Sequence, residues 1–349
     1  MKKNKIMATL GVACMVVSLV GAVLPTGVVR AASLNGTCQK LTLPVGYGPG
    51  QPNNLKLSGT FCAPHAVSDP RAVDILIPGG TYDSLYWDFP YQSPTYSYVE
   101  KTLAAGRATF NIDRLGTGAS SKPLSALVTE DADTYTIHQA IQWLRNTKGY
   151  STVTMIGHSA GSIAAAHEAA QYNDASKLVF TGFMHSPSIN LILTLGGGLY
   201  PAALDSQFIG KILDPGYLTT IPGKRATAFY SASADPSVIA YDDAHKNIIS
   251  ATEAAPLVSE ILEPPVLNIS QRITAPILTI VGDQDILCGP PLIGVSCSSS
   301  ASVQSYEAPY YPKAKNYQAI VIPNTGHNLP LHPSANQSFA AIDQWIRTH

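Results

Sequence analysis

The stretch Thr152-Val153-Thr154-Met155-Ile156-Gly157-His158-Ser159-Ala160-Gly161-Ser162 decides the reading of this chain. Thr152 to Ile156 is a short buried strand by pattern, and Ser162 to Tyr172 is an Ala-rich helical segment. Between them, Gly157-His158-Ser159-Ala160-Gly161 fits G-x-S-x-G. In a chain with 27 glycines the pentapeptide alone is a weak signal, and its weight comes from the strand–turn–helix setting. A turn this sharp forces Ser159 into strained backbone angles and lifts its hydroxyl off the end of the sheet. Gly157 and Gly161 are small because neighbouring backbone crowds the turn.

A serine hydroxyl is a poor nucleophile at neutral pH and needs a base, which in turn needs an orienting acid. Both are expected on loops after later strands, in the order Ser, acid, His. The strand ending at Val281 runs into Gly282-Asp283-Gln284-Asp285, and Tyr317 to Ile322 is followed by Pro323-Asn324-Thr325-Gly326-His327. The expected catalytic set is therefore Ser159, Asp285 and His327. Asp283 is the alternative acid, although acids in such turns also bond to backbone. His332 is the alternative base, but it lies between Leu331 and Pro333, away from the strand end. His158 cannot reach its neighbour Ser159 in base geometry and reads as structural or pocket-lining. His185 reads as a core histidine or as a pocket wall.

Charge that develops on a carbonyl oxygen during attack needs backbone N–H donors, each worth about 3–4 kcal/mol. The first expected donor is Ala160, the residue after the nucleophile. The second lies in Pro78-Gly79-Gly80-Thr81, after the strand Ala72 to Ile77; we expect Gly80, with Thr81 as the alternative. The aromatic stretch Tyr82 to Tyr91 follows. It reads equally as a pocket wall or as packing of a long loop.

Outward from this centre, strand and helix signals alternate. Leu41 to Val45 and Leu55 to Thr60 alternate as strands do. Further strands are expected at Ala72 to Ile77, Ala108 to Ile112, Lys177 to Thr181, Pro276 to Val281 and Tyr317 to Ile322. Helices are expected at Tyr98 to Ala105, Asp131 to Arg145 and Ser334 to Arg347. This pattern predicts an α/β fold with a mostly parallel sheet flanked by helices. The alternation breaks between about residues 185 and 273, which read as an inserted lid because the stretch is too long for a plain connection.

Composition removes several function classes. Of 349 residues, 45% are hydrophobic, enough for a large core, and only 13% are charged, about half the usual ~25%. The net charge of −1 and the lack of a Lys/Arg block argue against nucleic-acid binding. No repeat of solenoid or propeller period is visible. Residues 1–31 have a basic start, an apolar run from Ile6 to Leu24 and small residues at the cleavage position, which predicts a signal peptide. A membrane anchor is the alternative; Cys14 is a poor lipoprotein site because the apolar run continues past it. Cleavage takes away Lys2, Lys3, Lys5 and Arg30, so 22 basic residues become 18 against 23 acidic ones, a net −5. No stable membrane insertion is expected after cleavage. The expected destination is extracellular or periplasmic.

Four cysteines remain, and an even count in an exported chain reads as disulfides. Cys38–Cys62 and Cys288–Cys297 are the favoured pairs because each is close in sequence. Zinc is disfavoured because no C-x-x-C or paired-His spacing occurs. Asn35, Asn268 and Asn336 open glycosylation sequons, which chance alone could supply.

Together these residues resemble the α/β-hydrolase superfamily over about Asp74 to His349. The resemblance rests on the glycine-bearing loop at Gly79-Gly80, Asp113-Arg114-Leu115-Gly116-Thr117-Gly118-Ala119-Ser120, the elbow at Ser159, Gly282-x-x-Asp285 and Gly326-His327. It implies an eight-stranded sheet, a Ser–His–Asp triad and neither cofactor nor metal. Many members have His-Gly where Pro78-Gly79 stands here, which leaves the second donor open. Ser at the elbow argues against epoxide hydrolases and haloalkane dehalogenases, which place Asp there. The implied activity is cleavage of a carboxylic ester, lipid or lactone through an acyl-enzyme, with a small-molecule ester as partner. Peptidase or amidase action, acyl transfer, and a non-catalytic binding role on the same scaffold are the alternatives.

Overall fold

In the computed structural model, which describes residues 35–186, 188–290 and 294–349, the predicted strands form one sheet. The leader segment 1–31 lies outside the described residues. β1 (Gly36–Val45) and β2 (Leu55–Pro64) are the antiparallel entry. Cys38 stands opposite Cys62 in their register and is bonded to it. β3 (Ala72–Ile77), β4 (Ala108–Ile112), β5 (Thr152–His158) and β6 (Lys177–Thr181) follow. They are separated by α1 (Ser93–Tyr96), α2 (Tyr98–Ala104), α3 (Glu130–Asn146) and α4 (Ala160–Gln171).

After β6 the chain leaves the sheet. It forms α5 (Ile189–Gly198), β7 (Leu199–Pro201), β8 (Tyr217–Thr220), α6 (Lys224–Phe229), α7 (Pro236–Ala244), β9 (Ile249–Ser250) and α8 (Ala251–Leu262). It then returns as β10 (Ile277–Gly282), α9 (Ser300–Glu307), β11 (Tyr317–Ile322) and α10 (Ala335–Thr348). The sheet has eight strands in the order β1-β2-β4-β3-β5-β6-β10-β11, parallel from β4 to β11.

Two apolar layers cover its faces, as the period-two alternation of strand side chains requires. Val73, Ile75 and Ile77 of β3 join a cluster with Ile137 and Ile141 of α3 and Ile163 of α4. Leu76 of the same strand joins Val99 of α2 and Phe339, Ile342 and Trp345 of α10.

Two differences from the sequence reading bear on the site. β5 runs two residues past Ile156, because Gly157 and His158 keep their ladder places opposite Phe180 and Thr181. α4 begins at Ala160, so Ser159 alone separates strand from helix. The second difference is a three-stranded antiparallel sheet, β7-β8-β9, within the stretch read as a lid. Its strands have two to four residues, too few for periodicity to register.

From β3 the chain passes to β4 on one side and then to β5 on the other. The crevice outside the carboxyl ends of β3 and β5 is thus the topological switch point, where open α/β sheets bind ligands. The loop holding Gly80 and the elbow at Ser159 both open there.

Candidate active site

Ser159 has φ 51° and ψ −121°, a conformation that costs a non-glycine residue about 1–3 kcal/mol. The surroundings enforce it. The Ser159 N–H donates to the Thr181 carbonyl at 2.8 Å, and its own carbonyl accepts from Ser162 N–H at 2.8 Å. A Cβ on Gly161 would lie 2.5 Å from the Pro78 carbonyl oxygen, and one on Gly157 would lie 2.5 Å from the Gly161 oxygen. Only glycine at both positions lets strand, helix and the β3 loop close on one another. Ser159 stays partly exposed. Ala160 opens α4, and the first N–H groups of a helix have no intrahelical acceptor and sit at its positive end.

The loops after β10 and β11 bring Asp285 and His327 together. His327 Nδ1 donates to Asp285 Oδ1 at 2.9 Å, and both residues are buried. That bond fixes the tautomer and leaves Nε2 as the acceptor nitrogen. Asp285 Oδ1 also accepts from Leu287 N–H at 3.0 Å. The His327 ring packs between His158, at 4.8 Å between centroids, and Phe229, at 5.5 Å. It therefore stands beside the residue that precedes Ser159.

The alternative acid and base have other duties. Asp283 Oδ1 accepts from Thr325 N–H at 3.1 Å and braces the turn after β11. His332 Nδ1 donates to the Asn328 carbonyl at 2.8 Å. Its Nε2 accepts from the N–H groups of Ser231, at 3.0 Å, and Gly326, at 3.1 Å. With both nitrogens engaged, it has no lone pair to offer as a base, and burial depresses its pKa.

His158 lies under the elbow. Its Nδ1 donates to Thr181 Oγ1 at 3.2 Å, and its ring stacks on Tyr86 at 4.2 Å. Burial pushes its pKa well below the ordinary imidazole value. His185 packs in the core. Its N–H and Nδ1 both donate to Glu307, at 2.8 and 2.9 Å, and its ring stacks on Tyr310. Tyr82, Tyr86, Trp87 and Phe89 are buried, so the aromatic stretch packs beneath the site rather than forming an open wall.

The loop after β3 is held from below by Arg114. Its Nε donates to the Pro78 carbonyl at 2.8 Å and its Nη2 to the Gly79 carbonyl at 3.1 Å, while Nη1 pairs with Asp133 and Glu253. Thr81 has φ 63°. Its carbonyl accepts from Asn247 N–H at 2.8 Å and its hydroxyl from Arg225 Nη1 at 2.9 Å. Arg225 is bidentate on Asp242, which also accepts from the Tyr82 and Tyr230 hydroxyls. A Cβ on Gly80 would stand 3.8 Å from that of Ala160, so the two expected donors are neighbours.

The sequence reading gave no role to either arginine. Arg114 lies inside the Asp113–Ser120 turn, and the burial that marks it is visible only in the fold. Nothing in the local sequence marks Arg225.

On the acid side of the site, Gln284, Asp285 and Ile286 help line a cavity of about 400 Å³ with Asn190, Leu193 and Thr194 of α5 and Lys224, Thr227 and Ala228 of α6. Cys288 and Cys297 are bonded to each other next to this loop. A separate group of donors, His138, Glu168 and Asp174, has metal-ligand spacing. Asn268, the central sequon residue, is buried with its side chain bonded to Glu260 and to Ser270 N–H, which removes it as a glycosylation site.

Comparison with known proteins agrees with this architecture. No curated protein matches the chain. Among solved structures, a bromoperoxidase from Bacillus anthracis superposes with a TM-score of 0.56 at 15% identity, covering 88% of this chain and 100% of that one. A thermophilic esterase from Thermogutta terrifontis gives 0.54 at 17% identity, covering 89% and 98%. The epoxide hydrolase CorEH gives 0.53 at 17% identity, also covering 89% and 98%. At such identities these likenesses speak for the fold alone. The sequence model of the alpha/beta hydrolase family matches residues 75–342. The chain belongs to the alpha/beta hydrolase family.

Proposed function

We propose that this chain is a serine hydrolase that cleaves carboxylic esters through an acyl-enzyme. The observation that carries the reading is the buried His327–Asp285 pair, at 2.9 Å, beside the strained elbow of Ser159. In this reading Ser159 Oγ attacks the ester carbonyl carbon and its proton passes to His327 Nε2. Asp285 holds the imidazole tautomer and stabilises its charged form. The oxygen of the tetrahedral intermediate accepts from the N–H groups of Ala160 and Gly80. When the intermediate collapses, the carbon–oxygen bond to the alcohol breaks and His327 returns the proton to the leaving alkoxide. A water, deprotonated by the same nitrogen, then releases the carboxylic acid and restores Ser159.

The segment from about 185 to 273 is proposed as the lid that decides which alcohol and acyl groups enter, with the cavity between α5, α6 and the Asp285 loop as one arm of the substrate cleft. Residues 1–31 are proposed to export the chain to the extracellular or periplasmic space, an oxidising setting in which two disulfides persist.

The test is labelling of the purified mature protein with a fluorophosphonate, with the modified peptide located by mass spectrometry. The expected label is on Ser159, with loss of p-nitrophenyl ester turnover in a folded Ser159→Ala variant. Unchanged turnover in that variant would overturn the assignment. A panel of esters, lactones and peptides then separates ester cleavage from peptidase or amidase action.

A further inference from the structure

On the side of the molecule built by α3 and α4, three donors from separate segments converge. His138 lies on α3, Glu168 on α4 and Asp174 on the turn that leads to β6. One potential ligand atom from each lies within 4.8 Å of the other two. His138 Nδ1 is 2.9 Å from Asp174 Oδ2 and 3.5 Å from Glu168 Oε1. Four ligands at about 2.1 Å around a tetrahedral zinc ion stand about 3.4 Å apart, so the spacing suits such an ion.

Distance alone does not make a site; these atoms also lack aligned hydrogen bonds. The Glu168 side chain is fully buried; its Oε1 faces His138 Nδ1 at 3.5 Å, and neither carboxylate oxygen makes an aligned hydrogen bond. His138 Nδ1 and Asp174 Oδ1 are also buried without one. The close approaches among the three residues therefore lack hydrogen-bond angles. Buried polar atoms in folded proteins are overwhelmingly satisfied, and an unsatisfied group in a native fold calls for an explanation such as an ion. Elsewhere in the chain the fully buried His185–Glu307 pair is closed by two hydrogen bonds, at 2.8 and 2.9 Å, from the His185 backbone N–H and from its Nδ1.

We propose that His138 Nδ1, the Glu168 carboxylate and the Asp174 carboxylate bind a divalent transition-metal cation of the zinc class. One imidazole with two carboxylates favours such an ion over calcium or magnesium, which prefer all-oxygen shells. The surroundings support the ligands from outside. Gln142 Nε2 donates to Asp174 Oδ2 at 2.7 Å, and Arg145 holds the Asp174 carbonyl. Tyr172 stacks on the His138 ring at 3.9 Å. His138, at 22%, and Asp174, at 13%, are partly exposed and give the ion its route in. The cation would tie α3, the turn before β6 and the far end of α4, the helix that starts at the elbow. Its role is structural, and it is independent of the proposed ester chemistry.

The test uses the mature chain stripped with a chelator and then titrated with zinc, followed by calorimetry and by metal analysis after dialysis. One zinc per chain is expected, with a rise in thermal midpoint and X-ray absorption showing one imidazole nitrogen among oxygen ligands. Glu168→Gln and His138→Ala are each expected to weaken binding at least tenfold. His167→Gln, which alters a neighbouring histidine outside the donor set, should leave affinity unchanged. Magnesium at millimolar concentration should not compete. A wild-type chain that binds no zinc, or one whose affinity survives both Glu168→Gln and His138→Ala, overturns the proposal. If Glu168→Gln does not fold, His138→Ala, at the more exposed of the two partly exposed ligands, decides alone.

Discussion

Arg114 Nε donates to the carbonyl oxygen of Pro78 across 2.8 Å, from a guanidinium that solvent does not reach. Together with the bond from Nη2 to Gly79, this fixes two successive peptide planes just before the proposed Gly80 donor. Lysine keeps the charge but cannot span both carbonyls and Asp133 at once. Arg114→Lys should lower kcat by about 10- to 100-fold with a smaller change in KM, because the loss is one of positioning. Steady-state kinetics on a chain shown folded by circular dichroism checks this. An unchanged kcat would separate Arg114 from the donor loop.

Asp285 and Asp283 lie two residues apart and differ in what they hold. Asp285 holds the His327 ring, and Asp283 holds the Thr325 N–H. Asp285→Asn should cost about 10³- to 10⁴-fold in kcat, because an amide cannot fix the required tautomer. Asp283→Asn retains an acceptor oxygen for the backbone and should cost no more than about tenfold. The reverse ranking would exchange their roles.

His332 offers a test by pH. Burial depresses its pKa below the ~6.5 of an exposed imidazole, against a smaller opposing effect of its bond to Asn328. The stability it contributes is complete above that unfolded-state value and is lost as pH falls below it, because the unfolded chain takes up the proton first. His332→Gln keeps a neutral acceptor and should cost about 1–2 kcal/mol at pH 7.5. Below pH ~6.5 its stability should fall less steeply than that of the native chain, by up to about 1.4 kcal/mol per pH unit. Urea denaturation at several pH values reads both effects, and parallel curves would refute the assignment.

The two disulfides should separate stability from activity. Cys38–Cys62 links the antiparallel strands β1 and β2, far along the sheet from β5. Cys288–Cys297 closes the loop next to Asp285, whose carbonyl accepts from Cys288 N–H at 2.9 Å. Each contributes about 3 kcal/mol in the chain-entropy picture. Replacing Cys38 and Cys62 by serine should lower Tm by roughly 5 °C and leave kcat intact. The same replacement at Cys288 and Cys297 should lower kcat as well. Equal kcat in the two variants would show that the acid loop holds without its clasp.

The sequence by itself determined the alternation of strands and helices and the place of the elbow, and it favoured both cysteine pairings. These are local matters. A buried strand has to be apolar along its length, a sharp turn has to carry glycine where backbone crowds it, and the two closures each join cysteines near in the chain. It also put Ser159, Asp285 and His327 at strand ends in a usable order. It did not show that His332 is consumed by two backbone N–H groups, that Arg114 and Arg225 brace the loop of Gly80, or that His138, Glu168 and Asp174 meet. Arg225 lies 144 residues from Thr81, and Asp285 lies 42 from His327. Contacts at such separations leave no periodic trace in the chain. They exist only because the parallel sheet brings its strand ends together and the helices pack across it, so the tertiary structure alone decides which polar groups are satisfied and which are left to hold something else.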